Sequence, residues 1–500
     1  MWRNYRISLS FANLVYVRAW ADLIPIDTGE LYHRKTVPGF HLYFALVGDV
    51  ILLSLLIFAV LTAASRLRGR ARVWVGRILP VLAIAAMALA TSFLRTHLLH
   101  YASARIVSML LAVMFLLAAG LAAGFPTVAS RWIKGFALAA TPCLAVTFLA
   151  PLYYLSGPSP LPADPPLAQR LAGAPAVRVV WVVFDDWDER LTFENPLALP
   201  PVPALMNLAT RSFAATHALA VLDGTPVVDM ATANAIPSLL YGKLLLGSTT
   251  EDIATRQLLF ADHTTAAFGK GDSVFARMRA RGWNSAAAGW YLPYCRVFAP
   301  QLSDCYWDVR YDQATSAGAA PPEAALDETR MLFETEMYSP FGRSLVDARH
   351  FGEYEALTAA ARRYAADPSI GLTFIHFNVP HAPFFYNPEL GRFGRKDHPD
   401  DLYIDGLKWV DRAVSEILGS LDSSGLASKT AIVLSSDHPA RLITRTTPYV
   451  PFIVHLPGED GGMFSNREFS AIGTADLVLA MAAGDVRTPA DVESFLIGHH

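Results

Sequence analysis

Charge is scarce in this chain of 500 residues. Asp, Glu, Lys and Arg together make up 17%, against 53% for hydrophobic residues. A soluble domain carries about 25% charged residues, so the composition excludes a wholly soluble chain as well as a disordered one. A basic excess is also missing. The formal net charge is −3, which excludes a protein built to neutralise nucleic-acid phosphates. Cysteine is nearly absent. Three residues, with no CxxC pair, exclude a disulfide scaffold and a structural zinc module.

The apolar residues gather before about residue 156. Four stretches approach the ~20 apolar residues that cross a bilayer: Leu42–Ala64, Ile78–Leu94, Ile106–Phe125 and Gly135–Leu155. A fifth, Ile7–Ile24, holds Arg18 and Asp22 and reads as either a span or an interfacial helix. No cleavable signal peptide pattern is seen, so the spans are expected to be retained. Arg66, Arg68, Arg70, Arg72 and Arg77 follow the first firm span, and Arg131 and Lys134 precede the last. Basic loops stay in the cytoplasm, so the chain after Leu155 is expected outside it. Arg3 and Arg6 at the N-terminus favour an odd number of spans, hence five rather than four.

The expected organisation is a transmembrane domain over 1–155, a Pro/Ala-rich linker over 156–176 and an exported domain over 177–500. In the exported part, Val177–Phe184 (VRVVWVVF) is a continuous β-branched run, as for a strand buried on both faces. Thr373–Phe377, Thr430–Leu434 and Pro451–His455 read as further strands. Tyr354–Ala366 and Leu402–Leu421 carry helical spacing. Strands alternating with helices predict an α/β fold with a doubly wound, mostly parallel sheet.

Ligands of such sheets sit beyond the carboxyl ends of the strands. Asp185 and Asp186 follow the first strand, His381 follows Thr373–Phe377, and Asp437 and His438 follow Thr430–Leu434. Carboxylate pairs with imidazole form a donor set suited to zinc or manganese. Each cluster alone reads equally as a helix cap or loop hydrogen bond; their shared position at strand ends favours a site. His217, His263 and His376 read as structural or surface groups, and Cys143 as inert packing. Cys295 and Cys305, ten residues apart on the oxidising side, are candidates for a disulfide.

Taken in order, VVFDDWDER, PPVPALMNLATRSFAATHALAV, VPHAPFFY, LSSDHPAR and YVPFIVHLPG resemble the sulfatase-like branch of the alkaline phosphatase superfamily. The resemblance runs from about residue 178 to 458. Sulfatases carry a Cys/Ser-x-Pro-x-Arg motif with a Gly ten residues beyond its first position. Counting back from Gly242 reaches Thr232, and the Pro and Arg are missing. TANAIP is instead similar to a segment of membrane-anchored phosphoethanolamine transferases, whose nucleophile is a Thr; lipoteichoic acid synthases also use Thr. A helix N-cap is the competing role for Thr232, and both can hold together.

The resemblance implies an N-terminal transmembrane helix bundle followed by a catalytic domain of alkaline phosphatase/sulfatase type. It implies one divalent ion, zinc first with manganese or calcium as alternatives, on Asp185, Asp437, His438 and Thr232. Asp186 would be a fourth protein ligand or a partner of the ligands, and His381 would contact the transferred group or protonate the leaving oxygen. Pro439 departs from the family's Gly, Arg445 stands where the transferases have a His, and Asp replaces their first Glu. Arg441 and Arg445 are therefore candidate anion-binding residues, with plain surface arginine as the competing reading.

The expected function is transfer or hydrolysis of a phosphoryl-type group at a lipid or envelope glycan, with the chain in the inner membrane and its catalytic domain in the periplasm. Alternatives are a sulfuric or phosphonic ester hydrolase of the same family and a degenerate, membrane-tethered binding protein. The arginine-rich loop predicts that a reporter enzyme fused after His500 is active only in the exported compartment; cytoplasmic activity overturns the orientation.

Overall fold

The computed structural model describes residues 1–23, 32–35, 39–90, 104–157, 161–193, 202–220, 232–251, 255–309, 322–326, 329, 344–382, 386–387, 392–393, 399–440, 447–459 and 461–498. The chain divides into two compact units: Met1–Asp27, Thr36–Pro160 and Ala314–Leu345 form the first, and Thr28–Lys35, Leu161–Gln313 and Val346–His500 the second.

The first unit is helical. Its helices are α1 (Trp2–Val15), α2 (Val17–Asp22), α3 (Phe40–Arg66), α4 (Gly69–Ala90), α5 (Ala104–Gly124), α6 (Pro126–Ala139) and α7 (Cys143–Ser156). Among the described residues three stretches are long and apolar enough to cross a membrane: Phe40–Arg66, Gly69–Ala88 and Pro126–Ser156. Met109–Gly124 is a shorter apolar helix. Phe44, Leu52 and Leu56 on α3 and Leu116 and Leu117 on α5 are exposed, as expected of side chains whose solvent is hydrocarbon. Polar contacts join the helices inside: Thr147 Oγ1 donates to Asn13 Oδ1 at 3.0 Å, and Tyr43 Oη to the Phe148 carbonyl at 3.0 Å. Such bonds bring apolar helices together where no hydrophobic force separates lipid from protein. A segment distant in sequence also belongs here. Ala324 packs in the α1–α3 core, and Thr329 bonds Tyr16 Oη at 3.1 Å and Asp49 Oδ2 at 3.4 Å.

The second unit is built on a nine-stranded sheet. Its strands are β1 (Arg178–Asp185), β2 (Phe213–Leu219), β3 (Ser285–Trp290), β4 (Asp304–Asp308), β5 (Leu372–Pro380), β6 (Thr430–Ser436), β7 (Tyr449–His455), β8 (Met463–Ser465) and β9 (Phe469–Ser470). The order is β8-β2-β7-β6-β1-β5-β3-β4, with β9 also beside β2. From β6 to β4 all neighbours run parallel; β7 is antiparallel to both β6 and β2. The fold is thus the mixed, mostly parallel α/β sheet expected. β1 lies at its centre and is buried along its whole length, because VRVVWVVF offers apolar side chains to both faces. Helix Pro399–Ser423 contains the expected Leu402–Leu421, and helix Ser344–Ala365 covers the expected Tyr354–Ala366 except for its last residue, which is a turn.

The amino ends of the central strands are tied by Arg178. Its guanidinium donates to the carbonyls of Ile370, Ala365 and Asp367 and to Thr430 Oγ1, each at 2.9 Å. Hydrogen-bonded satisfaction of this kind is what a buried charge requires. At the sheet edge Cys295 and Cys305 are joined, bridging helix Tyr294–Phe298 to β4. The closed loop spans ten residues, for which chain entropy gives about 2–3 kcal/mol. Cys295→Ser with Cys305→Ser should lower the denaturant midpoint of this unit accordingly. An unchanged midpoint, or two reactive thiols in the unreduced parent, would contradict the bridge.

Candidate active site

β1 and β6 lie side by side in parallel, with Phe184 opposite Ser436. The residue after each pair is an aspartate, so Asp185 and Asp437 emerge together at the carboxyl edge. Ser436 fastens the two strands there: its hydroxyl donates to the Phe184 carbonyl at 2.6 Å and accepts the Trp187 amide at 2.9 Å. Consecutive strand residues face opposite sides, which would separate Asp185 from Asp186. The chain avoids this by placing Asp186 in the left-handed region, at φ 63°, an uncommon conformation that Asp tolerates better than most residues. Both carboxylates then turn toward His438.

His438 is completely buried and uses both ring nitrogens. Nε2 lies 3.5 Å from Asp185 Oδ1 and 3.3 Å from Asp437 Oδ2. Nδ1 lies 3.1 Å from Asp186 Oδ1. Burial opposes its charged form, but Asp437, then Asp186 and Asp185, outweigh burial and raise its pKa to about 9. Asp186 also faces His381, with Oδ2 at 3.7 Å from Nε2. It therefore stands behind His438 and between two imidazoles, the position of a group that orients a ligand.

Thr232 opens helix Thr232–Tyr241 and is buried at 5% exposure. Its hydroxyl donates to Asp185 Oδ2 at 3.1 Å and lies 3.4 Å from His438 Nε2. Sequence-distant elements thus deliver a hydroxyl, two carboxylates and an imidazole to one point at a helix N-terminus, where backbone amides favour a bound anion. Four ligands about 2.0–2.1 Å from one ion stand about 3.3 Å apart in a tetrahedron. Four of the separations found here are 3.1 to 3.5 Å, with Thr232 and His438 reaching different oxygens of Asp185. Asp185, Asp437 and His438 form one set able to hold a metal ion, and Asp185, Asp186 and His381 another. The donor set fits a divalent ion.

Arg441 and Arg445, the candidate anion-binding pair, lie outside the described residues. The site also contains a residue that sequence reading assigned to structure or surface. His376, on β5, is wholly buried with Nε2 3.9 Å from Asp185 Oδ2. Burial chiefly, with His438 and His381 adding to it against a hydrogen bond to the Trp290 backbone, lowers its pKa to about 3. Trp290 on β3 forms the wall beside it, its ring 5.2 Å from His381 and 6.4 Å from His376. The available signal was position: His376 precedes His381 by five residues on a strand that ends at the site.

Residues 272–475 match the Sulfatase family model. That segment contains His376, His381, Asp437 and His438, while Asp185, Asp186 and Thr232 precede it. The family match is thus confined to residues 272–475, where the chain is similar to sulfatase-family domains. A curated relative, the steryl-sulfatase of Rattus norvegicus, is 38% identical over 71 residues, which is 14% of this chain and 12% of that protein's length. Similar solved structures include the lipoteichoic acid synthase LtaP from Listeria monocytogenes, at 13% identity and TM-score 0.39, covering 63% of this chain and 73% of that one. The phosphonate monoester hydrolase of Agrobacterium radiobacter is 15% identical with TM-score 0.41, covering 62% and 74%. A protein in the alkaline phosphatase superfamily from Vibrio parahaemolyticus is 13% identical with TM-score 0.41, covering 67% and 73%.

The raised pKa of His438 gives a pH signature. In metal-free protein its imidazolium stabilises the fold fully below the ordinary value of ~6.5, and that contribution is lost as pH rises through about 9. A metal ligand must be neutral imidazole, so metal uptake near neutral pH expels the proton. Calorimetry in buffers of different ionisation enthalpy should show about one proton released that disappears in His438→Gln. Metal binding with no such difference would contradict the assignment.

Proposed function

We propose that this protein is a membrane-anchored metalloenzyme that transfers or hydrolyses a phosphoryl-type group through Thr232. The observation that carries the reading is the Thr232 hydroxyl, buried and hydrogen-bonded to Asp185 within the Asp/His cluster. It stands where sulfatases carry a modified Cys or Ser. The three long apolar helices fit a multi-pass inner-membrane anchor. The basic-loop asymmetry fits a catalytic domain on the periplasmic side, facing lipid and envelope glycan substrates.

A bound divalent ion, zinc first among the candidates, would be held by Asp185, Asp437, His438 and Thr232; it lowers the pKa of a coordinated hydroxyl and neutralises charge on phosphoryl oxygens. Thr232 Oγ1 gives up its proton toward Asp185 and attacks phosphorus. The bond to the leaving oxygen breaks as a P–O bond to Thr232 forms. His381, exposed enough to meet substrate, protonates the leaving oxygen. An acceptor hydroxyl, or water, then gives its proton to His381 and attacks phosphorus; the P–O bond to Thr232 breaks, its electron pair goes to Oγ1, and Asp185 returns the proton to Thr232. Asp186 holds His438 and His381 in orientation throughout.

A second reading, sulfate or phosphonate ester hydrolysis at the same site, is favoured by the Sulfatase family match and by Asp rather than Glu at the first acidic position. The full chain incubated with labelled inner-membrane phospholipids should pass label to an acceptor and trap it on the peptide holding Thr232. Label release only from sulfate esters would move the assignment to the second reading. Thr232→Ala should abolish turnover and keep fold and metal, since loss of a helix cap costs only about 1 kcal/mol. Thr232→Ser should retain partial activity because the hydroxyl survives. Turnover by the alanine variant at the parent rate would reduce Thr232 to a helix cap.

A further inference from the structure

The left-handed turn at Asp186 is held from outside the sheet. Tyr403, near the start of helix Pro399–Ser423, is fully buried. Its hydroxyl donates to the Asp186 carbonyl at 2.8 Å and accepts the Asp188 amide at 2.7 Å. One phenol oxygen therefore closes the turn, pairing a backbone acceptor and a backbone donor. Asp186 and Asp188 are both buried, where an unpaired peptide group is costly. The amide of Trp187, between them, is fixed separately by Ser436 Oγ.

The conformation needs such a hold. A non-glycine residue at φ 63° is disfavoured and persists where its surroundings over-determine it. What the turn delivers is the Asp186 carboxylate, with Oδ1 3.1 Å from His438 Nδ1 and Oδ2 3.7 Å from His381 Nε2. Relaxed to extended backbone, Asp186 would face away from Asp185 and leave both imidazoles. Three residues along the same helix, Gly406 seats against Pro380, the neighbour of His381: a Cβ there would lie 3.3 Å from the Pro380 Cβ. Residues three apart share a helix face, so one face backs both members of the Asp186–His381 pair.

We propose that Tyr403 is a positioning residue for the metal centre: its hydroxyl locks the turn that sets the Asp186 carboxylate behind His438. This rests on the metal-dependent reading of the site, in which His438 binds the ion through Nε2 and Asp186 fixes its ring from Nδ1. Partners that orient a ligand in this way govern metal affinity by about 10- to 100-fold. Tyr403 acts one contact further out, through the peptide groups of Asp186 and Asp188.

The test is the zinc affinity of the full chain in detergent, measured by competition with a chromophoric chelator. Tyr403→Phe keeps the ring and removes the hydroxyl; it should weaken zinc binding about tenfold. Asp186→Asn should also weaken it, and adding Tyr403→Phe to that variant should cause no further loss, because the carboxylate that the hydroxyl serves is gone. Equal affinity in Tyr403→Phe and the parent overturns the proposal and leaves the metal-dependent reading standing. A full second loss on top of Asp186→Asn would make the hydroxyl a general support of the fold and also overturn it. Hydrogen exchange in the parent covers a phenylalanine variant that folds poorly: the Asp188 amide should be as protected as the amides of β1, and fast exchange there overturns the proposal. A folded parent that takes up no zinc would overturn both readings.

Discussion

The parallel pairing of β1 with β6, in the register that sets Phe184 opposite Ser436, is the constraint from which the site follows. It brings Asp185 and Asp437 out at one edge and aims His438 between them. A one-residue slip would send the acidic pair to opposite faces. The register is guarded at both ends: by Arg178 across β1, β5 and β6 at the amino side, and by the Ser436 hydroxyl on the Phe184 carbonyl at the other. Between them the strand is apolar on both faces, so side-chain alternation does little to fix the register and these end contacts matter more.

On this frame the remaining pieces are few. Asp186 leaves the strand through a left-handed turn and reaches the far nitrogen of His438. Helix Thr232–Tyr241 delivers a hydroxyl and its own amino terminus. Burial makes each contact count, since charges exchange strongly where water is absent. The pKa of His438 is raised by its carboxylate neighbours against the effect of burial, and that of His376 is lowered chiefly by burial itself. One imidazole is ringed by carboxylates; the other faces, among the described residues, the Asp185 carboxylate alone, with the Trp290 indole beside it.

Much of this was legible in the sequence, for physical reasons. VRVVWVVF, rich in β-branched residues, reads as a strand covered on both sides, and acids placed directly after such strands fall at the sheet edge where ligands bind. Thr232 was reached through resemblance, since no local pattern separates a nucleophile from a helix cap. Other parts were not legible. SAAAGW, the strand beside β5, has weak intrinsic strand preference and becomes β3 only because its neighbours bury it. His376 sits inside an apolar run, where a histidine reads as packing until its distance to Asp185 is known. The contact of Thr329 with Tyr16 and Asp49 joins segments about 280 to 313 residues apart, and no period or motif in the chain announces it.

The central claim is that Asp185, Asp437 and His438 form a metal centre. Metal analysis of the full chain purified in detergent tests it directly. The account predicts one divalent ion per folded chain, retained in Thr232→Ala and lost when Asp437→Asn is combined with His438→Gln. A folded parent chain that binds no divalent ion, or a double variant that binds it as tightly as the parent, would contradict it.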